Sequence, residues 1–148
     1  MLTIYNWNDV TDWVQEETQL YSYDNGGIKE TRILGIDFST SENYYQINKS
    51  YNTNNDISLT VNQLWDLSLI DWDTYSDVIY GYDLSNRLIS ETTRILDNTT
   101  MTYTNESRLL YDYSGSFLIK RTSQEWISND WINEDKTEMT YTDGLLTE

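Results

Sequence analysis

Between Ile57 and Leu67 the side chains alternate in character residue by residue. Ile57, Leu59, Val61, Gln63, Trp65 and Leu67 fall on one side, and Ser58, Thr60, Asn62, Leu64 and Asp66 on the other. From Met101 to Tyr113 the two-residue period returns, setting Met101, Tyr103, Asn105, Ser107, Leu109, Tyr111 and Tyr113 against Thr102, Thr104, Glu106, Arg108, Leu110 and Asp112. A period of two belongs to a β-strand, and no 3.6-residue stripe competes with it. Composition points the same way. The chain has no Ala, the strongest helix former, whereas 13 Tyr and 6 Trp stand among many Ile, Leu and Thr, which suit a pleated, half-buried surface. Aromatics in that number also separate it from a disordered acidic chain.

Turn-forming clusters punctuate the alternating runs: Asp24-Asn25-Gly26-Gly27, Asn52-Thr53-Asn54-Asn55-Asp56, Asp97-Asn98-Thr99, Ser114-Gly115-Ser116, Ser128-Asn129-Asp130 and Asp143-Gly144. Asn, Asp and Gly tolerate the positive φ of tight turns, and short connections make antiparallel neighbours. The expected fold is therefore all-β, an antiparallel meander of about ten strands in an elongated open sheet. A single layer, a sandwich and a curled barrel all satisfy the pattern.

The chain also resembles itself. Trp13, Trp72 and Trp131 are spaced 59 residues apart, and each leads a strand ending in a Tyr-Asp-type turn. Thr31-Arg32-Ile33-Leu34 is echoed by Thr93-Arg94-Ile95-Leu96, Tyr51 by Tyr113, and Gln63-Leu64-Trp65 by Gln124-Glu125-Trp126. The expected unit has about 60 residues and four strands, with insertions confined to turns and a longer turn after Asp83 than after Asp24. At 148 residues with no composition shift, the reading is one domain, 1–148, with units near 1–59 and 60–120 and a partial unit at 121–148.

Inventory excludes several chemistries. With no Cys and no His there are no disulfides, thiolate metal sites, imidazole catalysis or Ser-His-Asp triads. A net charge of −16 and a pI near 4.1 argue against nucleic acid and anionic lipid as partners. No apolar run approaches the ~20 residues that span a bilayer, so no membrane insertion is expected. Nor does a basic segment followed by a long apolar run mark a signal peptide.

The candidate ligand-binding residues are the paired tryptophans Trp7 and Trp13, Trp65 and Trp72, Trp126 and Trp131. Each pair flanks a hairpin turn, so its rings can clasp each other across the strands; as a row of flat rings they could instead stack on sugars. Tyr21, Tyr23, Tyr80, Tyr82, Tyr111, Tyr113 and Tyr141 form a second set, suited to a partly covered sheet face with Thr and charged pairs. Asp66, Asp71, Asp73 and Asp77 are the candidate calcium ligands, although their spacing is not that of an EF-hand and a solvated acidic face is the ordinary reading. No other cofactor is expected. No catalytic residue emerges, because a paired-carboxylate mechanism needs a deep cleft that short-turned hairpins do not offer.

Trp126-Ile-Ser-Asn-Asp-Trp131-Ile-Asn, running into Met139-Thr-Tyr-Thr-Asp143-Gly144, resembles the β-repeats of large secreted and cell-surface proteins of Bacteroidota, many of them cargo of the type IX secretion system. Trp7-Asn-Asp-Val-Thr-Asp-Trp13-Val, running into Tyr21-Ser-Tyr23-Asp24, fits the same pattern. Tyr80-Gly-Tyr82-Asp83-Leu-Ser-Asn-Arg87-Leu88 also resembles the Rhs-type YD repeat, although those repeats are shorter and carry Gly where Asn86 stands. The resemblance implies an extracellular or cell-surface location and a spacer or adhesive role, and it brings no catalytic residues. The expected function is a non-enzymatic structural or adhesive module. The alternatives are a carbohydrate-binding module using the tryptophans, and a filament subunit joining copies or neighbouring repeats through exposed strand edges.

Overall fold

A computed structural model of the chain describes residues 2–7, 13–24, 26–37, 39–142 and 144–147, excepting the side chains within 5–7 and 13–16. The turn at 8–12 and residues Asn25 and Asp143 of the expected turns lie outside the described residues. The elements are β1 (Leu2–Trp7), β2 (Trp13–Tyr23), β3 (Glu30–Asp37), β4 (Asn43–Tyr51), β5 (Ile57–Asp66), β6 (Asp71–Tyr82), β7 (Leu88–Asp97), β8 (Thr102–Ser114), β9 (Phe117–Ile127), β10 (Asp130–Glu138), β11 (Tyr141–Thr142) and β12 (Leu145–Leu146). The first ten form one antiparallel sheet in sequence order, not closed into a barrel, and β11 with β12 forms a separate small hairpin. Nine strand spacings of ~4.8 Å make the large sheet about 43 Å wide.

Among the described residues its strands pack against their sequence neighbours, with Phe117 of β9 also meeting Tyr141 of β11 (ring centroids 4.8 Å), and no second layer of strands covers either face. Among the described residues no hydrophobic side chain is buried; the buried ones are Gln46, Thr60, Ser76, Asp77 and Thr122. Each buried side-chain polar atom there has a hydrogen-bond partner. Half-covered Tyr, Ile and Leu with polar ladders between strands therefore do the work of a core, each cross-strand pair contributing roughly 0.2–1 kcal/mol.

Every pairing in the sheet contains a β-bulge, and the extra residue always sits on the later strand: Glu16, Thr31, Tyr44, Ser58, Tyr75, Ile89, Glu106, Ile119 and Glu134. A bulge adds twist and shifts which side chains share a face. Strict alternation is accordingly overturned. In β8, Tyr103 and Asn105 face one way, whereas Ser107, Leu109, Tyr111 and Tyr113 face the other, because Glu106 intervenes. Met101 and Leu67 lie in turns.

The bulges sort the aromatics. Following the register across the sheet, Trp65, Trp72, Trp126 and Trp131 share one face with Asp77, Arg94, Tyr103 and Arg108. Tyr21, Tyr45, Tyr51, Tyr80, Tyr82, Tyr111 and Tyr113 occupy the opposite face. There Tyr51, Tyr82 and Tyr113 recur every 31 residues, and each hydroxyl donates to the carbonyl of the first residue of the preceding strand: Glu30 (2.7 Å), Ile57 (2.8 Å) and Leu88 (3.0 Å).

Register recurs with the tryptophans. Trp7↔Trp13, Trp65↔Trp72 and Trp126↔Trp131 are paired positions, each three residues before a bulge, at Glu16, Tyr75 and Glu134. The Thr-Arg-Ile-Leu echo is different. Arg32 pairs with Ser22, but Arg94 pairs with Asp77, so the two segments do not hold equivalent places. The turn after Asp83 is also one residue shorter than that after Asp24, closing on Arg87 where the other closes on Lys29. The extra length lies in the strands: β7 has 10 residues against 8 in β3, and β8 has 13 against 9 in β4. A hairpin lengthened in both strands keeps its pairing, which explains why insertion is tolerated there.

Candidate functional site

Hairpin β5–β6 shows how the tryptophans are presented. Asp66 ends β5, and its Oδ1 accepts hydrogen bonds from the Ser68 hydroxyl (2.6 Å) and from the backbone N–H groups of Ser68 (2.7 Å) and Leu69 (3.3 Å). The Ser68 hydroxyl leads in holding the Asp66 carboxyl below its ordinary pKa. Asp37 and Asp97 close their turns similarly, with Ser39 and Thr40, and with Thr99 and Thr100. Across the turn Trp65 meets Trp72 with ring centroids 5.1 Å apart at 69°, and Trp126 meets Trp131 at 4.9 Å and 64°. These are edge-to-face clasps. Trp7 and Trp13 hold the corresponding backbone register, and their side chains lie outside the described residues.

The four carboxylates singled out for calcium are separately engaged. Asp66 closes its turn, Asp71 accepts from the Trp72 N–H (2.7 Å), and Asp73 accepts twice from Asn98 Nδ2 (3.0 Å each). Asp77 faces away from the other three and binds Arg94. Among the described residues no group of three or more Asp or Glu side chains is placed to hold a metal ion.

Sequence reasoning missed the cation–aromatic stacks. Lys29 lies over Tyr51 (5.3 Å), Arg87 over Tyr113 (4.7 Å), Arg94 over Tyr103 (4.6 Å) and Arg108 over Trp131 (4.3 Å). Lys29 and Arg87 follow matching turns, a parallel that Tyr51 and Tyr113 had already signalled. Open grooves lie on both faces. One, of about 280 Å³, runs along Tyr80, Glu91 and Leu109; another, of about 560 Å³, lies between Trp72 and Tyr103. Such open troughs suit contact with a surface more than enclosure of a small molecule.

No family model and no curated protein matches this chain. Among solved structures it is similar to a protein of unknown function from Bacteroides fragilis, with a TM-score of 0.71 and 14% identity over 83% of this chain and 91% of that one. It is also similar to a DUF3836 family protein from Bacteroides vulgatus, with a TM-score of 0.53 and 14% identity over 61% of this chain and 90% of that one. At such identity the likeness is one of fold.

Proposed function

We propose that this chain is a non-enzymatic structural or adhesive β-module, acting outside the cell or at its surface as a rigid spacer or binding face. One observation carries the reading. The ten-stranded sheet is a single layer with both faces open and, among the described residues, no buried hydrophobic side chain. Catalysis depends on reacting groups held in a water-excluded, preorganised site, whereas an open sheet offers area. The extracellular location rests on the resemblance to secreted β-repeats. The charge of −16 keeps an exposed surface of this kind soluble.

Beads coated with the purified chain, flowed over mucin, matrix protein and the chain itself, test this reading. Retention on at least one surface is expected, without turnover of ester, glycoside or peptide substrates. Turnover that co-purifies with the chain overturns it.

A further inference from the structure

The register that parts the aromatic rings also parts the charges. Among the described residues, bulge positions aside, the tryptophan face carries three carboxylates, Asp77, Asp112 and Glu138, against five cations, Arg32, Arg94, Arg108, Lys120 and Lys136. The tyrosine face carries eleven carboxylates against two cations, Lys49 and Arg121, and Lys49 is already bonded to Glu30. One side of the layer is therefore close to neutral and the other strongly negative.

The tyrosine face has a place where this charge meets a groove. Tyr80, Glu91, Leu109, Ser123 and Asp135 stand opposite one another in five successive strands, with Thr93, Ser107 and Glu125 in the adjacent row. The groove of about 280 Å³ runs along these two rows. Arg108, which borders it, sends its guanidinium to the opposite face, over Trp131. Glu91 accepts the Tyr111 hydroxyl. The carboxylates of Glu125 and Asp135 have no hydrogen-bond or ion-pair partner among the described residues. Arg121, in the row beyond beside Tyr111, is the one cation on this part of the face. Tyrosines of the same face hold cations elsewhere, Lys29 over Tyr51 and Arg87 over Tyr113, but among the described residues no Lys or Arg lies over Tyr80. Carboxylates beside an aromatic ring, on a face of uniform sign, complement a cation on an aliphatic stem.

We propose that the tyrosine face docks a basic partner polypeptide, whose lysine or arginine side chains lie in this groove. Tyr80 and Leu109 take the aliphatic stems, and Glu91, Glu125 and Asp135 are the counter-charges. Glu91 on β7 and Glu125 on β9 are two strand spacings apart, ~9.6 Å. A polypeptide in the polyproline II form repeats every three residues, ~9.3 Å, so basic residues three apart reach both. The inference rests on the adhesive reading above and names which face holds the partner and by what chemistry.

The test is fluorescence anisotropy with a short fluorescein-labelled peptide carrying lysine at every third residue among serine and glycine. Binding is expected at low salt and should weaken as salt screens it. The same peptide with norleucine for lysine should not bind. Glu91→Gln and Glu125→Gln should each weaken binding about threefold, and about tenfold together. Asp112→Asn makes the same charge change on the tryptophan face and should alter affinity less than about twofold. Circular dichroism confirms that each variant folds, and Glu125→Gln removes no contact within the chain. Equal weakening by Glu125→Gln and Asp112→Asn means attraction by net charge alone and overturns the proposal. So do absence of peptide binding and equal binding of the norleucine peptide. Retention of wild-type beads without peptide affinity removes this docking assignment only; absent bead retention removes the adhesive reading instead.

Discussion

Asp77 on β6 accepts two hydrogen bonds from Arg94 on β7, Nε to Oδ1 at 2.9 Å and Nη2 to Oδ2 at 2.5 Å. The carboxylate is 4% exposed and the guanidinium 29%. Hydrogen bonding to Asp77 is the leading cause of a raised Arg94 pKa. The pair sits near the middle of the sheet, where a wide single layer has nothing else to shield a charge.

Removing one partner therefore leaves the other poorly compensated. Asp77→Leu should cost about 2–3 kcal/mol in urea denaturation, below the full cost of a buried pair because Arg94 reaches water. Asp77→Leu with Arg94→Leu should recover most of the loss. A double variant as unstable as the single one would count against this account.

Gly35 is tied to Tyr45. A Cβ at Gly35 would stand 2.3 Å from Tyr45 Cε1, so the ring lies directly across the glycine. It is held there by hydrogen bonds from Gln19 Nε2 to the hydroxyl (2.7 Å) and from the hydroxyl to Glu17 (3.0 Å). Gly35→Ala should cost about 1–3 kcal/mol by overpacking, and the cost should vanish in a Tyr45→Ala background. Gly81→Ala meets only the tip of the Ser90 side chain, which can rotate away, and should be tolerated. Thermal melts of the four proteins decide the matter.

The pH dependence should have two shoulders. Asp24, Asp37, Asp66, Asp83 and Asp97 have pKa values lowered from 3.8, chiefly by hydrogen bonds that close their turns. A lowered folded-state pKa contributes stability that is present above 3.8 and lost as pH falls through the folded values. Tyr45 and Tyr111 are pushed up to about 12, first by desolvation and then by donating to Glu17 and Glu91. Their contribution is complete below 10 and fades as pH climbs toward 12. Melting temperature should therefore fall below pH 4 and again above pH 10. Tyr45→Phe with Tyr111→Phe should flatten only the alkaline limb.

Ile70 is β-branched at φ 53° and 77% exposed in the β5–β6 turn. Ile70→Asn relieves that conformation and should stabilise the protein by up to about 1 kcal/mol in chemical denaturation. A loss of stability would show that the exposed side chain contributes packing.

Much of this architecture was legible in the residues. Alternation from Leu59 to Trp65, and Asp or Asn next to Gly, Ser or Thr at the turns, are local signals, because strands and turns are set by neighbours along the chain. The Ser58 bulge turns Ile57 to the face opposite Leu59, and Leu67 lies in a turn. The Trp65–Trp72 and Trp126–Trp131 clasps were legible too, since a short hairpin leaves little choice of partner. The face assignments were not. An extra residue such as Glu106 or Tyr75 alters no composition and breaks no turn, yet it shifts its strand by one place and moves every later side chain across the sheet.

By itself the sequence determined an all-β meander, its turns and the spacing of its tryptophans, because hydrophobic period and turn chemistry act over a few residues. Only the tertiary structure decided that the sheet stays open in one layer, that Trp65, Trp72, Trp126 and Trp131 gather with Tyr103 on one face while Tyr21, Tyr45, Tyr51, Tyr80, Tyr82, Tyr111 and Tyr113 take the other, and that Arg94 meets Asp77. Those outcomes depend on register summed over nine bulged pairings, and register is a property of strands in contact.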